Sequence, residues 1–222
     1  MGAIEGLLAR FLNGLYPEDV ACFLCNVEAQ VDALGICASC RKELQRPALP
    51  LPCPPGIAGV AAATLYQGHV EEAVHRLKYG RASYVAKRLA GLMEVPEPWR
   101  FDWIIPVPLW PKKQKKRGYN QSALIARALG QRLGLSQLVA EELLFRTRDT
   151  QTQTALPAKN RFENVQGAFC AASGVAGKDI LLVDDVYTTG STLRACAEAL
   201  HMAGAGQVYA CCSCVTQPPR GL

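Results

Sequence analysis

Apolar positions in this chain fall into two rhythms. Ile4, Leu7, Leu8, Phe11, Leu12 and Leu15 recur at helical spacing ahead of Pro17, which predicts a short amphipathic helix stopped by the proline. Beyond residue 56 short apolar runs alternate with helical ones. Residues 57–66, rich in Val, Ala and Leu, predict a strand. Residues 71–93 predict one or two helices broken near Gly80, 103–107 a short strand and 119–133 a helix. Residues 180–183 are apolar at every position, the pattern of a strand buried on both faces. A helix over 192–203, ended by Gly204, and a strand over 208–215 complete the alternation. Strand and helix in turn imply an α/β fold, a mainly parallel sheet flanked by helices.

Two segments break the rhythm. Residues 46–56 contain five prolines and read as a semi-rigid linker. This sets the expected boundary between an N-terminal helix and cysteine module, 1–48, and the larger α/β domain, 49–222. Residues 146–164 are polar with little apolar periodicity, and a loop that long inside a compact domain is usually functional.

At 222 residues there is room for one well-packed α/β domain with a small appendage. No apolar run approaches the roughly 18–20 residues of a membrane span. The N-terminus lacks a basic stretch, carries Glu5, and has Arg10 inside its apolar run, unlike a signal peptide. Gly6 stands where a myristoylation motif needs Ser or Thr. The expected location is therefore the cytoplasm, where ten cysteines point to metal and buried thiols rather than disulfides.

Cys22 and Cys25 and, after eleven intervening residues, Cys37 and Cys40 form two Cys-x-x-Cys knuckles with the spacing of a tetrathiolate zinc site. The short module has too few apolar residues for a core of its own, so structural zinc would supply what packing does not. Iron–sulfur ligation is the main competitor, and a redox pair would not need the duplicate. Cys53, between Pro52 and Pro54, reads as linker. Cys211, Cys212 and Cys214 fall in an expected strand and read as small buried side chains, as do Cys170 and Cys196.

The net charge of +5 is modest but concentrated: Lys112, Lys113, Lys115, Lys116 and Arg117 occupy five of six positions. Two readings stay open. One is a solvated loop whose charge serves a phosphorylated ligand. The other is a track for single-stranded nucleic acid, with Trp110 and Tyr119 as stacking platforms. Trp99 and Trp103 read as packing residues, and His69, His75 and His201 as incidental.

The strongest signal is ILLVDDVYTTGST, 180–192. Asp184 and Asp185 follow a buried strand, at the end where open α/β sheets bind ligands. Adjacent carboxylates need shared hydroxyls or a cation between them; ribose 2- and 3-hydroxyls with Mg²⁺ would meet that need. Thr188, Thr189, Gly190, Ser191 and Thr192 are small, rich in hydroxyls, and lead into a helix, making an anion cradle suited to a 5-phosphate. A Walker B strand would require a Gly-x-x-x-x-Gly-Lys-Ser/Thr loop, and the chain has none. The segment reads as the loop of a type I phosphoribosyltransferase that binds phosphoribosyl pyrophosphate (PRPP).

Further motifs stand in order along the chain: Leu77-Lys78-Tyr79-Gly80, Pro106-Val107-Pro108 and Arg117-Gly118-Tyr119-Asn120-Gln121. Thr150, Gln153, Leu156, Arg161, Asn164 and 167–169 follow. With the cysteine module and the 180–192 loop, they make the chain resemble the ComF/GntX family. These are phosphoribosyltransferase-like proteins linked in some bacteria to uptake of transforming DNA.

The resemblance implies Asp184 and Asp185 on the ribose, as the candidate catalytic pair, 188–192 on the 5-phosphate, and Mg²⁺ with PRPP. It also implies that the turn after 103–107 is the pyrophosphate loop, and that Arg117 and the 146–164 loop cover the diphosphate. For Lys78, Arg146 and Arg148 a solvated charge is the alternative. Three functions remain open: transfer of phosphoribose to an unknown acceptor, non-catalytic handling of single-stranded DNA with the competence machinery, and sensing of PRPP. No His/Glu constellation identifies an acceptor, and nothing in the sequence sets an oligomeric state.

Overall fold

A computed structural model describes residues 20–149 and 167–217. The helix expected over 4–15, and within the 146–164 stretch the segment from Thr150 on, lie outside them. In chain order the elements are α1 (Ala38–Glu43), β1 (Gly59–Leu65), α2 (Gly68–Tyr79), α3 (Tyr84–Leu92), β2 (Trp103–Pro106), α4 (Pro111–Arg117) and α5 (Gln121–Leu133). Then come β3 (Leu144–Arg146), β4 (Phe169–Ala171), β5 (Ile180–Tyr187), α6 (Ser191–Met202) and β6 (Val208–Val215).

β1, β6, β5 and β2 form one sheet in that order, every pair parallel. Period-2 alternation divides β5 between two cores. Leu181 and Val183 pack with Val74 and Leu77 of α2, Leu89 of α3, and Ile125 and Leu129 of α5. Ile180 and Leu182 pack with Leu193 and Leu200 of α6. Each such leucine, fully buried, contributes about 1.5–3 kcal/mol, which is why an all-apolar strand settles in the middle of a sheet covered on both sides.

β5 is longer than the apolar run predicts. It continues through Asp184 and Asp185 to Tyr187, because β6 keeps pairing with it as far as Val215. On the other side β2 stops at Pro106, opposite Val183, and the chain turns away through Pro108. The two aspartates therefore sit within a strand, not after it, on the stretch where β5 has lost its β2 neighbour.

The structure departs from expectation at three further points. The basic run is a helix, α4, with Pro111 at its first position and Gly118 ending it at φ 91°, where a glycine is unstrained. It has no buried residue, so no apolar stripe announces it. β3 and β4 pair antiparallel on either side of 147–168, and three-residue strands carry too little periodicity to read. Cys170, expected to be buried, is exposed on β4, where the two-stranded ribbon leaves alternate residues to solvent. Cys196, Cys211, Cys212 and Cys214 are buried. No helix among the described residues is long and apolar enough to cross a membrane.

Candidate functional site

The loss of β2 beside Asp184 opens a cavity of about 490 Å³ at the carboxyl end of β5. Its floor is the acidic pair. Asp184 Oδ1 accepts hydrogen bonds from Ser122 Oγ and from the Asp185 N–H, both at 2.9 Å. Ser122 lies in the first turn of α5, which Asn120 caps by accepting from the Ser122 N–H (3.1 Å). The same Asn120 side chain donates to Val107 O at 3.0 Å, so one residue ties the turn after β2 to the helix that braces Asp184. Burial, and then the charge of Asp185, push the Asp184 carboxyl up to about 7.

Asp185 faces the Lys78 ammonium at 2.9 Å. Lys78 stands in the last turn of α2, and its side chain is 22% exposed against 6% for Asp185. Burial opposes the charge on the lysine, but the carboxylate beside it outweighs that and holds the Lys78 pKa above its ordinary value. Of the two readings left open for Lys78, the solvated one is wrong.

The rest of the wall is cationic. Lys113, Lys116 and Arg117 line the cavity, whereas Lys112 and Lys115 do not. Positions i, i+3 and i+4 share one helical face, so α4 turns three charges inward and leaves two outside. Arg117 donates to Gln121 Oε1, and its guanidinium lies over the Tyr79 ring, 5.3 Å from the centroid. Arg146, closing β3, lines the cavity with its guanidinium 5.3 Å from the Phe169 centroid. Arg81 also lines it, from the corner between α2 and α3, at φ 55°. A left-handed non-glycine residue costs roughly 1–2 kcal/mol. Arg81 escaped the sequence reading, and Tyr79 entered it only within the 77–80 motif, without a role; both flank Gly80, where the helical pattern breaks.

At the phosphate turn, Gly190 takes φ 76° and α6 starts at Ser191 without a side-chain cap. A Cβ on Gly190 would come within 2.7 Å of Pro54 Cγ, so packing and dihedral both demand glycine. Thr188 and Thr192 line the cavity. Thr189 and Ser191 join their hydroxyls to each other at 2.8 Å and shape the turn instead. Behind it the proline-rich linker accepts a hydrogen bond from the Tyr187 hydroxyl at Pro52 O (2.6 Å).

Of the two aromatic platforms expected beside the basic run, Tyr119 is engaged elsewhere. Tyr119 packs against the core and donates to Leu77 O at 2.5 Å, and the Trp110 indole nitrogen is buried. Trp99 stacks on Tyr209, as a packing residue should.

The four cysteines of the module converge: the sulfurs of Cys22, Cys25, Cys37 and Cys40 lie within 4.8 Å of one another, Cys25 and Cys37 3.9 Å apart. Sulfurs on a tetrahedral zinc are about 3.8 Å apart, given a Zn–S bond near 2.3 Å. Burial works against ionisation of Cys22, but backbone N–H groups of Cys37, Cys25 and Leu24 outweigh it and bring that thiol down to about 7. The donor set fits a thiophilic metal.

Comparison with known proteins accords with this geometry. The phosphoribosyl transferase domain family matches residues 120–221. The DNA utilization protein YhgH of Salmonella typhi is 33% identical over 224 residues, covering 88% of this chain and 96% of its own. The competence protein ComFC of Streptococcus pneumoniae is 29% identical, covering 87% and 88%. Competence protein F of Haemophilus influenzae is 38% identical over 108 residues, 47% of this chain and 46% of its own.

Proposed function

The chain belongs to the ComF family of phosphoribosyltransferase-like proteins, and on that premise we propose that its cavity binds PRPP. Asp184 and Asp185 hold the ribose hydroxyls. The turn 188–192 with the start of α6 receives the 5-phosphate, and Arg117 with its neighbours receives the diphosphate. One observation carries the reading: a single cavity joins two buried carboxylates, a glycine-hinged hydroxyl turn at a helix start, and a cationic rim. A sugar bearing phosphate at both ends needs those three features in that arrangement. The magnesium expected with PRPP belongs, in this reading, to the diphosphate.

Transfer would break the C1–O bond, the electron pair leaving with pyrophosphate, while an acceptor bonds to C1. Arg117, Lys113 and Lys116 would stabilise the leaving charge, and the acidic pair would orient the sugar. In the cysteine module we assign zinc to Cys22, Cys25, Cys37 and Cys40. PRPP is expected to raise the melting temperature of the full chain, and Asp184→Asn/Asp185→Asn to abolish the shift. A wild-type protein that does not respond to PRPP refutes the reading.

A second reading has its own support. Lys112 and Lys115 lie outside the cavity lining on an exposed helix, and relatives carry names of DNA utilization and competence. These lysines would contact the backbone of single-stranded DNA. Replacing both with Ala should reduce the slope of log affinity against log salt by roughly one unit or more; an unchanged slope removes the reading.

A further inference from the structure

Arg117 closes a helix that core packing does not fix. α4 has no buried residue, and Gly118 turns the chain away directly after it. A long side chain in that place has many rotamers open to it, and ordering it on a ligand would cost affinity. Two contacts hold it instead. It donates to Oε1 of Gln121, a buried residue at the start of α5, and its guanidinium lies over the Tyr79 ring, 5.3 Å from the centroid.

Burial does not explain Tyr79. It is the last residue of α2 and 63% exposed, so its ring gains little from the core. His75, one turn earlier on the same helix, tilts against that ring with centroids 4.7 Å apart and limits its swing. Tyr79 and Arg117 both line the cavity. The turn that carries Tyr79 is also tied to the site on either side. Leu77 O accepts from the hydroxyl of Tyr119, two residues after Arg117, and Lys78 pairs with Asp185. Three consecutive residues of α2 therefore reach the corner after α4, the acidic floor and Arg117 itself, so one helical turn sets floor against rim.

We infer that Tyr79 is a positioning residue, whose ring face orients the Arg117 guanidinium for the diphosphate. This rests on the PRPP reading above. A carboxylate in its place would also hold the arginine, but it would cancel the charge and occupy the fork that a phosphate needs. A ring supports the cation while using none of its five N–H donors, so those not taken by Gln121 stay available to phosphate oxygens.

The test is calorimetric titration of the full chain with inorganic pyrophosphate in buffer containing Mg²⁺, arranged as a double-mutant cycle. Tyr79→Leu, which keeps the bulk and removes the ring, should weaken binding by about threefold to fivefold. Tyr79→Phe, which keeps the ring face, should stay within about twofold of the wild type. Arg117→Ala should cost about tenfold or more. Adding Tyr79→Leu to Arg117→Ala should then change the affinity by less than about twofold, because the residue through which the ring acts is already gone.

Wild-type affinity in Tyr79→Leu overturns the inference and leaves the PRPP reading standing. So does an equal loss from Tyr79→Leu with and without Arg117, since the ring would then act by another route. A loss in Tyr79→Phe as large as in Tyr79→Leu also overturns it, because the hydroxyl and not the ring face would matter. Pyrophosphate that does not bind the wild-type chain removes the PRPP reading itself, and the inference with it.

Discussion

Residues 20–45 keep their shape with little regular structure. They have isolated bridges of Ala21 with Glu28 and Val31 with Cys37, the six-residue helix α1, and four cysteines around one point. Asp32 holds the second knuckle, accepting from the N–H groups of Leu34 and Ile36. Phe23, Leu24 and Ile36 are buried, but in the same core as α2 and α3, and Arg76 of α2 donates to the Phe23 and Leu24 carbonyls. The module has no core of its own; it leans on a neighbour and gathers its four sulfurs around one point. A few residues further on, the sheet domain has two cores, one on each face. With that much burial it holds two carboxylates and an ammonium at the end of a central strand. In one region, then, shape rests on a cysteine cluster and a neighbour's core; in the other the fold has burial enough to hold charge beside an open cavity.

Replacing cysteines of the module should separate the regions most sharply. Wild-type protein should carry about one equivalent of zinc, absent from Cys22→Ser/Cys25→Ser. In that variant, amide hydrogen exchange should lose protection over 20–45 and keep it in β5 and β6. Equal loss in both would show that the module is part of the sheet's cooperative unit, and the contrast would fail.

A smaller effect is expected at the ion pair. Lys78→Met leaves Asp185 buried without its cation and should cost about 2 kcal/mol, reduced from the usual cost of breaking a buried pair because the lysine is partly exposed. Lys78→Met/Asp185→Asn should recover most of it in denaturant titrations. A neutral single variant would mean that Asp185 does not carry its charge in the fold.

The smallest effect has the opposite sign. Because the folded Asp184 carboxyl sits at about 7, well above its unfolded value, the native state holds a proton that the unfolded chain releases. The destabilisation from this group grows as pH rises from about 4 and is complete above about 7. Asp184→Asn should therefore raise the melting temperature, by about 3 °C at pH 8 and by less at pH 5, while weakening PRPP binding. A gain that is larger at pH 5 would contradict the buried, raised carboxyl.

Much of the site is legible in the chain itself. The apolar run ending in Asp184 and Asp185, and the Thr-Thr-Gly turn after it, are contiguous, and local pattern reports contiguous features well. The paired knuckles are legible for the same reason. The aromatic residues beside the basic run are not, because exposure is not a local property. Tyr119 is drawn inward by a neighbour remote in sequence, reaching Leu77 O, 42 positions earlier.

What the sequence alone determined is the order of the four sheet strands and of the helices that cover them, the chemistry of the acidic strand end and the glycine turn, and the paired cysteine spacing, all set by periodicity and residue type over a few positions. Only the tertiary structure decided that Lys78 neutralises Asp185 and that Ser122 holds Asp184. It alone split the basic run into three inward and two outward charges, and brought Arg81 and Tyr79 to the cavity. The physical reason is that charge pairing acts through space over a few ångströms, and which charges come that close is settled by how β2, β5, α2 and α5 pack, not by their separation along the chain.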